Sequence, residues 1–190
     1  MPQIAIFASG TGSNARKIIE YFQDHPSIEV TLVVSNKSAA PVLEMAESFG
    51  IATQVIQRKV FYETETLLDD LQSVDLLVLA GFLWLVPPYL VHAFPHKIVN
   101  IHPALLPRYG GKGMYGMHVH QAVAEAGETE SGLTIHYVNE VYDEGQIIFQ
   151  ARCALDATDT AEDIAAKVLA LEHEHFAPTL EQLLLHPHRS

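Results

Sequence analysis

Cysteine is nearly absent from this chain, with Cys153 the single example in 190 residues. An intrachain disulfide needs two and a cysteine-based zinc site needs several, so both are excluded. Its place in an apparent strand, residues 147–153, reads as core, not as a nucleophile. Basic charge is also scarce: 11 Lys and Arg face 23 Asp and Glu, for a formal net charge of −12. A partner held by its phosphate backbone needs a basic face, so no nucleic acid is expected. Long apolar runs are missing too. The longest uncharged one, residues 76–88, falls short of the about 20 residues that span a bilayer. The amino terminus enters a strand without a basic segment or a long apolar one. No secretory signal is read there, so the expectations are no membrane and a cytoplasmic location.

What remains is globular in kind, 48% hydrophobic and 18% charged. The length suits one domain with a substantial core, expected over residues 1–185, with 186–190 as a disordered tail. Strands are expected at 4–7, 30–34, 53–56, 76–80 and 97–101. Helices alternate with them, one beginning near Asn14 with Ile18, Ile19 and Phe22 at helical spacing, others over 41–49 and 64–72. Pro41 suits a first helical turn and Gly50 a helix end. Leu76-Leu77-Val78-Leu79-Ala80 is apolar on both faces, as a central strand of a parallel sheet must be. This rhythm implies right-handed βαβ units, hence an α/β fold with a doubly wound, mostly parallel, Rossmann-like sheet. Past residue 103 the rhythm changes. A helix is expected over 119–126, then strands at 133–138 and 146–153 joined by a turn-rich segment, an antiparallel C-terminal pair. A long C-terminal helix follows from Thr160 toward Leu185, with Asp163 three residues after Thr160 and a stripe of Ile164, Val168 and Leu171.

Chemistry concentrates where a strand ends, at Asn100-Ile101-His102-Pro103. Residues two apart leave a strand on one face, so Asn100 and His102 are expected to point together into the crevice beyond the sheet's carboxyl edge. A neutral amide donor beside an imidazole suits a carbonyl oxygen on which negative charge develops. Read locally, the same pair could equally satisfy loop backbone. His136 alternates with Ile135 and Tyr137 and faces away from them, toward the same crevice. Asp143 lies in the turn between the late strands; brought near His102, its carboxylate would favour the imidazolium and raise its pKa.

Gly10-Thr11-Gly12-Ser13-Asn14-Ala15 joins a strand to a helix, where glycines permit close approach and the helix terminus favours an anion. The spelling is G-x-G-x-x-A, but the second strand ends in Ser35-Asn36-Lys37 instead of an acid, and no Gly-Lys-Ser/Thr follows. A phosphate monoester therefore fits better than a dinucleotide, and a tight turn with a capped helix is the plain alternative. The 11 histidines raise the question of a metal. His118 with His120, and His173 with His175, diverge on a helix and lack a Glu-x-x-His or cysteine partner, so no metal is expected.

Taken together and in order, these residues carry a likeness. Ser9-Gly10-Thr11-Gly12-Ser13-Asn14, Leu79-Ala80-Gly81-Phe82, Asn100-Ile101-His102-Pro103-Ala104-Leu105-Leu106-Pro107, and residues 132–136 leading to Asp143-Glu144-Gly145 resemble the formyltetrahydrofolate-using formyltransferases over nearly the whole chain. The Ser-Gly-x-Gly-Ser-Asn loop resembles that of the phosphoribosylglycinamide formyltransferases, the glycinamide ribonucleotide transformylases of purine synthesis. The resemblance implies transfer of a formyl group from 10-formyltetrahydrofolate to the amine of glycinamide ribonucleotide through a tetrahedral intermediate. Asn100 and protonated His102 would stabilise its oxyanion, and His102 would pass a proton to the leaving folate nitrogen. Asp143 would hold His102 protonated, with His136 a further catalytic candidate. The same resemblance assigns Gly12, Ser13 and Asn14 to the substrate phosphate and Glu172 to the ribonucleotide. It assigns Arg58, Leu83, Trp84, Leu85, Val86, Asn100, Asn139, Glu140, Val141, Tyr142 and Asp143 to the folate, with Trp84 contributing backbone. The loop at 108–117 is longer than the family's usual form and receives no role. Both partners are small molecules, and the protein is expected to act as a monomer or homodimer. Two other readings stay open: a 10-formyltetrahydrofolate hydrolase using the same Asn, His and Asp on water, and a non-catalytic nucleotide-binding module built on residues 10–15.

Overall fold

Alternation of apolar and helical segments becomes, in the computed structural model, a three-layer α/β domain described over residues 1–186. In chain order its elements are β1 (Gln3–Phe7), α1 (Ser13–Phe22), β2 (Glu29–Ser35), α2 (Pro41–Ser48), β3 (Ala52–Val55), α3 (Arg58–Glu63), α4 (Leu67–Asp70) and β4 (Leu76–Leu79). Then follow α5 (Pro88–Ala93), β5 (Ile98–His102), α6 (Met117–Glu125), β6 (Glu130–Tyr137), β7 (Ile147–Ala154) and α7 (Ala161–Leu185). The strands form one seven-stranded sheet in the order β3-β2-β1-β4-β5-β6-β7. Pairing is parallel from β3 through β5 and antiparallel for β5 with β6 and β6 with β7. This is the mixed sheet expected, with the long C-terminal helix in place.

Strand periodicity sorts the core into two layers. Ile4 and Ile6 of β1, with Ala8 just after it, face a cluster with Ile18, Val42, Val123, Val168 and Phe176 from α1, α2, α6 and α7. Ala5 and Phe7 face the other cluster, with Phe61, Leu67, Leu71 and Leu90 from α3 through α5 and the segments between them. A central strand covered on both faces cannot alternate with polar residues, which is why β4 is buried at every position.

Most boundaries fall within a few residues of expectation. The helix foreseen over 64–72 is replaced by the two short helices α3 and α4. Thr64 is extended, with φ −133°, and its hydroxyl donates to the Val60 carbonyl at 2.8 Å. The Thr64 N–H bonds the same carbonyl at 3.2 Å, so α3 closes its last turn there, and the Thr66 hydroxyl lies 3.1 Å from that of Thr64. Helix α5, opened by Pro88 in its first turn, was not foreseen within the apolar stretch. Cys153 is half-buried at the margin of the core instead of inside it. The expected tail beyond His186 lies outside the described residues.

At its amino end α7 is closed by a capping box: Thr160 Oγ1 accepts from the Asp163 backbone N–H while the Asp163 carboxylate accepts from the Thr160 N–H. Among the described residues no helix is long and apolar enough to cross a membrane.

Candidate active site

The cleft opens at the carboxyl edge of the parallel strands, where the chain order reverses between β1 and β4. Its volume is about 890 Å³. At its floor, β5 pairs with β6 so that Asn100 lies opposite His136 and His102 opposite Thr134. Side chains two apart on each strand therefore meet on one face. His102 and His136 are 3% and 2% exposed.

The hydrogen bonds fix which ring nitrogens carry protons. His136 Nδ1 donates to the Tyr137 carbonyl at 2.9 Å, leaving Nε2 to accept from Asn100 Nδ2 at 3.1 Å. That bond pins the Asn100 amide and leaves its second N–H free. His102 Nε2 donates to the Tyr109 carbonyl at 2.8 Å, so its Nδ1 faces Asp143 Oδ2 at 3.6 Å. Asp143 Oδ1 stands 3.5 Å from His136 Nε2, and Oδ2 accepts from the Gly111 N–H at 2.9 Å. Both Asp143 and Tyr109 hold left-handed backbone, φ 58° and 57°. Such conformations are uncommon outside glycine and persist where surrounding contacts impose them. Here the Tyr109 hydroxyl and the Arg108 guanidinium both bind Glu128, anchoring the loop that presents the Tyr109 carbonyl.

Charge follows burial more than expected. Burial holds the His102 imidazole below its ordinary pKa; the Asp143 carboxylate and the Tyr109 carbonyl oppose this without overcoming it. At His102 burial thus acts against the carboxylate that was expected to favour the imidazolium. Burial also raises the Asp143 carboxyl, but the neighbouring His136 and His102 rings and the Gly111 N–H outweigh it and leave Asp143 below the usual carboxylate range.

At one end of the cleft, Ser9, Gly10, Thr11 and Asn14 form the wall with Lys37. Helix α1 starts from Gly12 at φ 75° with no side-chain cap and no acid in its first turn, so its terminal N–H groups are unclaimed by side chains. Gly12 is required there: a Cβ would lie 2.4 Å from Val42 Cγ2. Gly12 and Ser13 are not part of the cleft wall itself, in contrast to Thr11 and Asn14. Asn14 Nδ2 donates to Glu172 Oε2 at 2.7 Å across 158 positions of sequence. Burial raises the Glu172 carboxyl, with the Asn14 donor opposing.

At the other end, Leu83, Trp84, Leu85 and Val86 face Asn139, Val141 and Tyr142. Leu83 and Val141 are 44% and 51% exposed, an apolar surface that a flat ring could cover. The Trp84 ring is packed against Phe61 and Phe82, so a ligand there meets the segment's backbone. Two expected folate positions lie off this wall. Arg58 stacks over the Tyr62 and Trp84 rings, 5.2 and 5.5 Å from their centroids. Glu140 turns outward, its Oε1 2.9 Å from His92 Nε2.

Several wall residues had no assignment: Lys112, Met114 and Tyr115 of the long loop, His120 of α6, and Ala165 and Leu169 of α7. Positions 165, 169 and 172 share one helical face, a signal the stronger stripe at Ile164 and Val168 obscured. The glycine-rich loop has no periodicity to read. Among the described residues, no group of three or more His, Cys, Asp or Glu is arranged to hold a metal.

An amide, two imidazoles and a carboxylate gathered at the carboxyl edge of a doubly wound sheet define a domain equipped for chemistry at a carbonyl carbon. The chain belongs to the formyl transferase family, matched over residues 2–180. It is 35% identical to phosphoribosylglycinamide formyltransferase of Bacillus subtilis over 192 residues, covering 97% of this chain and 95% of that protein. It is 46% identical over 180 residues to the chloroplastic phosphoribosylglycinamide formyltransferase of Arabidopsis thaliana. That match covers 90% of this chain, and the chain spans 62% of the relative's length. Among solved structures, glycinamide ribonucleotide transformylase 1 from Geobacillus kaustophilus superimposes with a TM-score of 0.87 at 32% identity, covering 97% of this chain and 99% of that one.

Proposed function

We propose that the protein transfers the formyl group of 10-formyltetrahydrofolate to the amine of glycinamide ribonucleotide, a step of purine synthesis, with the cytoplasm as its compartment. The observation that carries this reading is the reach of Asp143 from the β6–β7 loop to both His102 and His136, beside the pinned amide of Asn100. The two ends of the cleft suit the two substrates. The uncapped start of α1, with Thr11, Asn14 and Lys37, suits a phosphate. The Leu83-to-Val86 and Val141 surfaces suit a pterin ring. Gly12 and Ser13 serve the phosphate through backbone N–H groups at the helix start, and Glu172 faces the ribonucleotide with Asn14.

Asn100 directs its free N–H at the formyl oxygen, where negative charge grows as the amine attacks. His102 adds Nε2–H when that proton is released from the Tyr109 carbonyl, so loop adjustment at Tyr109 accompanies substrate binding. In the overall change, a bond forms between the amine nitrogen and the formyl carbon, and the bond from that carbon to the folate nitrogen breaks. The proton lost by the amine equals the proton gained by the folate nitrogen. Asp143, held ionised, accepts it directly or through water, and His102 delivers it. His136 keeps Asn100 in register.

An acceptor-competition assay tests the reading. Purified protein with 10-formyltetrahydrofolate is assayed with and without glycinamide ribonucleotide, and both formylated ribonucleotide and free formate are quantified. Tetrahydrofolate production should depend on the ribonucleotide, with formate a minor product. Formate released at the same rate in both reactions would make the protein a hydrolase.

A further inference from the structure

His120, on α6, is 6% exposed, and its ring forms part of the cleft wall. Its Nδ1 is buried with no hydrogen-bond partner. Buried polar atoms are almost always paired, yet neither nitrogen of this ring has a protein partner, and Nε2, the less buried of the two, is left for a ligand in the cleft. Burial lowers the ring's pKa, with His102 acting in the same direction, so near pH 7 it offers one donor and one acceptor.

The layers indicate which substrate it meets. Helix α6 shares its core cluster with α1 and α7, and Asn14 of α1 with Leu169 and Glu172 of α7 face the same cleft. Trp84 and Val86 belong to the opposite layer. His120 is therefore on the Asn14–Glu172 side. Resting on the function proposed above, we infer that His120 is a binding residue for the acceptor, its neutral ring exchanging a hydrogen bond with a hydroxyl or amide group of the ribonucleotide.

The test pairs His120→Phe, which keeps ring bulk and removes both nitrogens, with His120→Gln, which restores a donor and an acceptor. Glycinamide ribonucleotide alone is titrated into each protein by calorimetry, and KM for both substrates and kcat are measured. His120→Phe should weaken ribonucleotide binding at least tenfold, and His120→Gln should recover part of it. The folate KM should stay within twofold of wild type. Ribonucleotide binding within twofold of wild type in His120→Phe overturns the assignment, as does an equal loss for both substrates. If His120→Phe does not fold, His120→Ala is read by the same titration and the same criteria. Wild-type protein that binds the ribonucleotide but never formylates it refutes the proposed reaction and leaves the titration of His120 standing.

Discussion

Four side chains at the cleft floor form one chain of contacts, Asn100 to His136, His136 to Asp143 and Asp143 to His102. Asn100 is the simplest to isolate, because its amide touches His136 and carries no charge of its own. Asn100→Ala should lower kcat by about 10²–10³ with both KM values little changed, as for loss of one oxyanion donor. A loss confined to KM would assign Asn100 to substrate binding alone. The histidines set the acid response of the fold. The unfolded chain takes up these protons near pH 6.5, whereas burial keeps His102 and His120 neutral to lower pH when folded. Below about pH 6.5 the unfolded state thus binds more protons, and stability falls as pH falls. Glu172, raised by burial, contributes in the opposite sense. Comparing wild type with His120→Phe cancels that term. Calorimetry near pH 6 in buffers of different ionisation enthalpy should show proton uptake on unfolding, and less of it in His120→Phe. Equal uptake in both would contradict the burial of a neutral ring at position 120.

Elements differ in how plainly they could be read. The shared face of Asn100 and His102 follows from strand period, the Thr160–Asp163 capping box from residue spacing, whereas His136 joins that face through the register of β5 with β6. Thr160→Ala should cost about 1 kcal/mol, a drop in Tm of about 2–4 °C for a chain of this size; an unchanged Tm would mean the cap is redundant. The approach of Asp143 was not legible, because it depends on how the loop after β6 folds back. Gly145 decides that fold: a Cβ there would lie 1.6 Å from the Tyr137 carbonyl oxygen. Gly145→Ala must therefore push the loop away from β6, and Asp143 with it. Its expected signature is a lowered Tm together with a fall in kcat approaching that of Asp143→Asn. A Gly145→Ala enzyme of normal kcat would show that Asp143 need not stay near His102. The split between α3 and α4 was hidden for a different reason. Thr64 and Thr66 are tolerated in helices, and nothing in their spacing announces that Thr64 turns to extended backbone.

At the scale of the whole molecule, one sheet serves both hydrophobic clusters, since alternate residues of β1 belong to each. Neither layer can shed its helices without exposing the shared strands to water, so a single unfolding transition is expected. The cleft lies where the layers converge on the sheet's carboxyl edge, with Asn14 and Glu172 contributed from one side and Val86 from the other. A ligand there rests against the sheet that both layers share, and its binding energy stabilises the entire domain. Glycinamide ribonucleotide at 100 times its Kd should add about 2.7 kcal/mol, raising Tm by about 5–11 °C for a domain of this size. The shift should grow with the logarithm of ligand concentration and keep one transition in the scan. A second, ligand-insensitive transition would show that one layer melts independently of the cleft. Calorimetric binding without any rise in Tm would place the ribonucleotide on the unfolded chain as much as on the folded one, which a site assembled from residues 158 positions apart cannot accommodate.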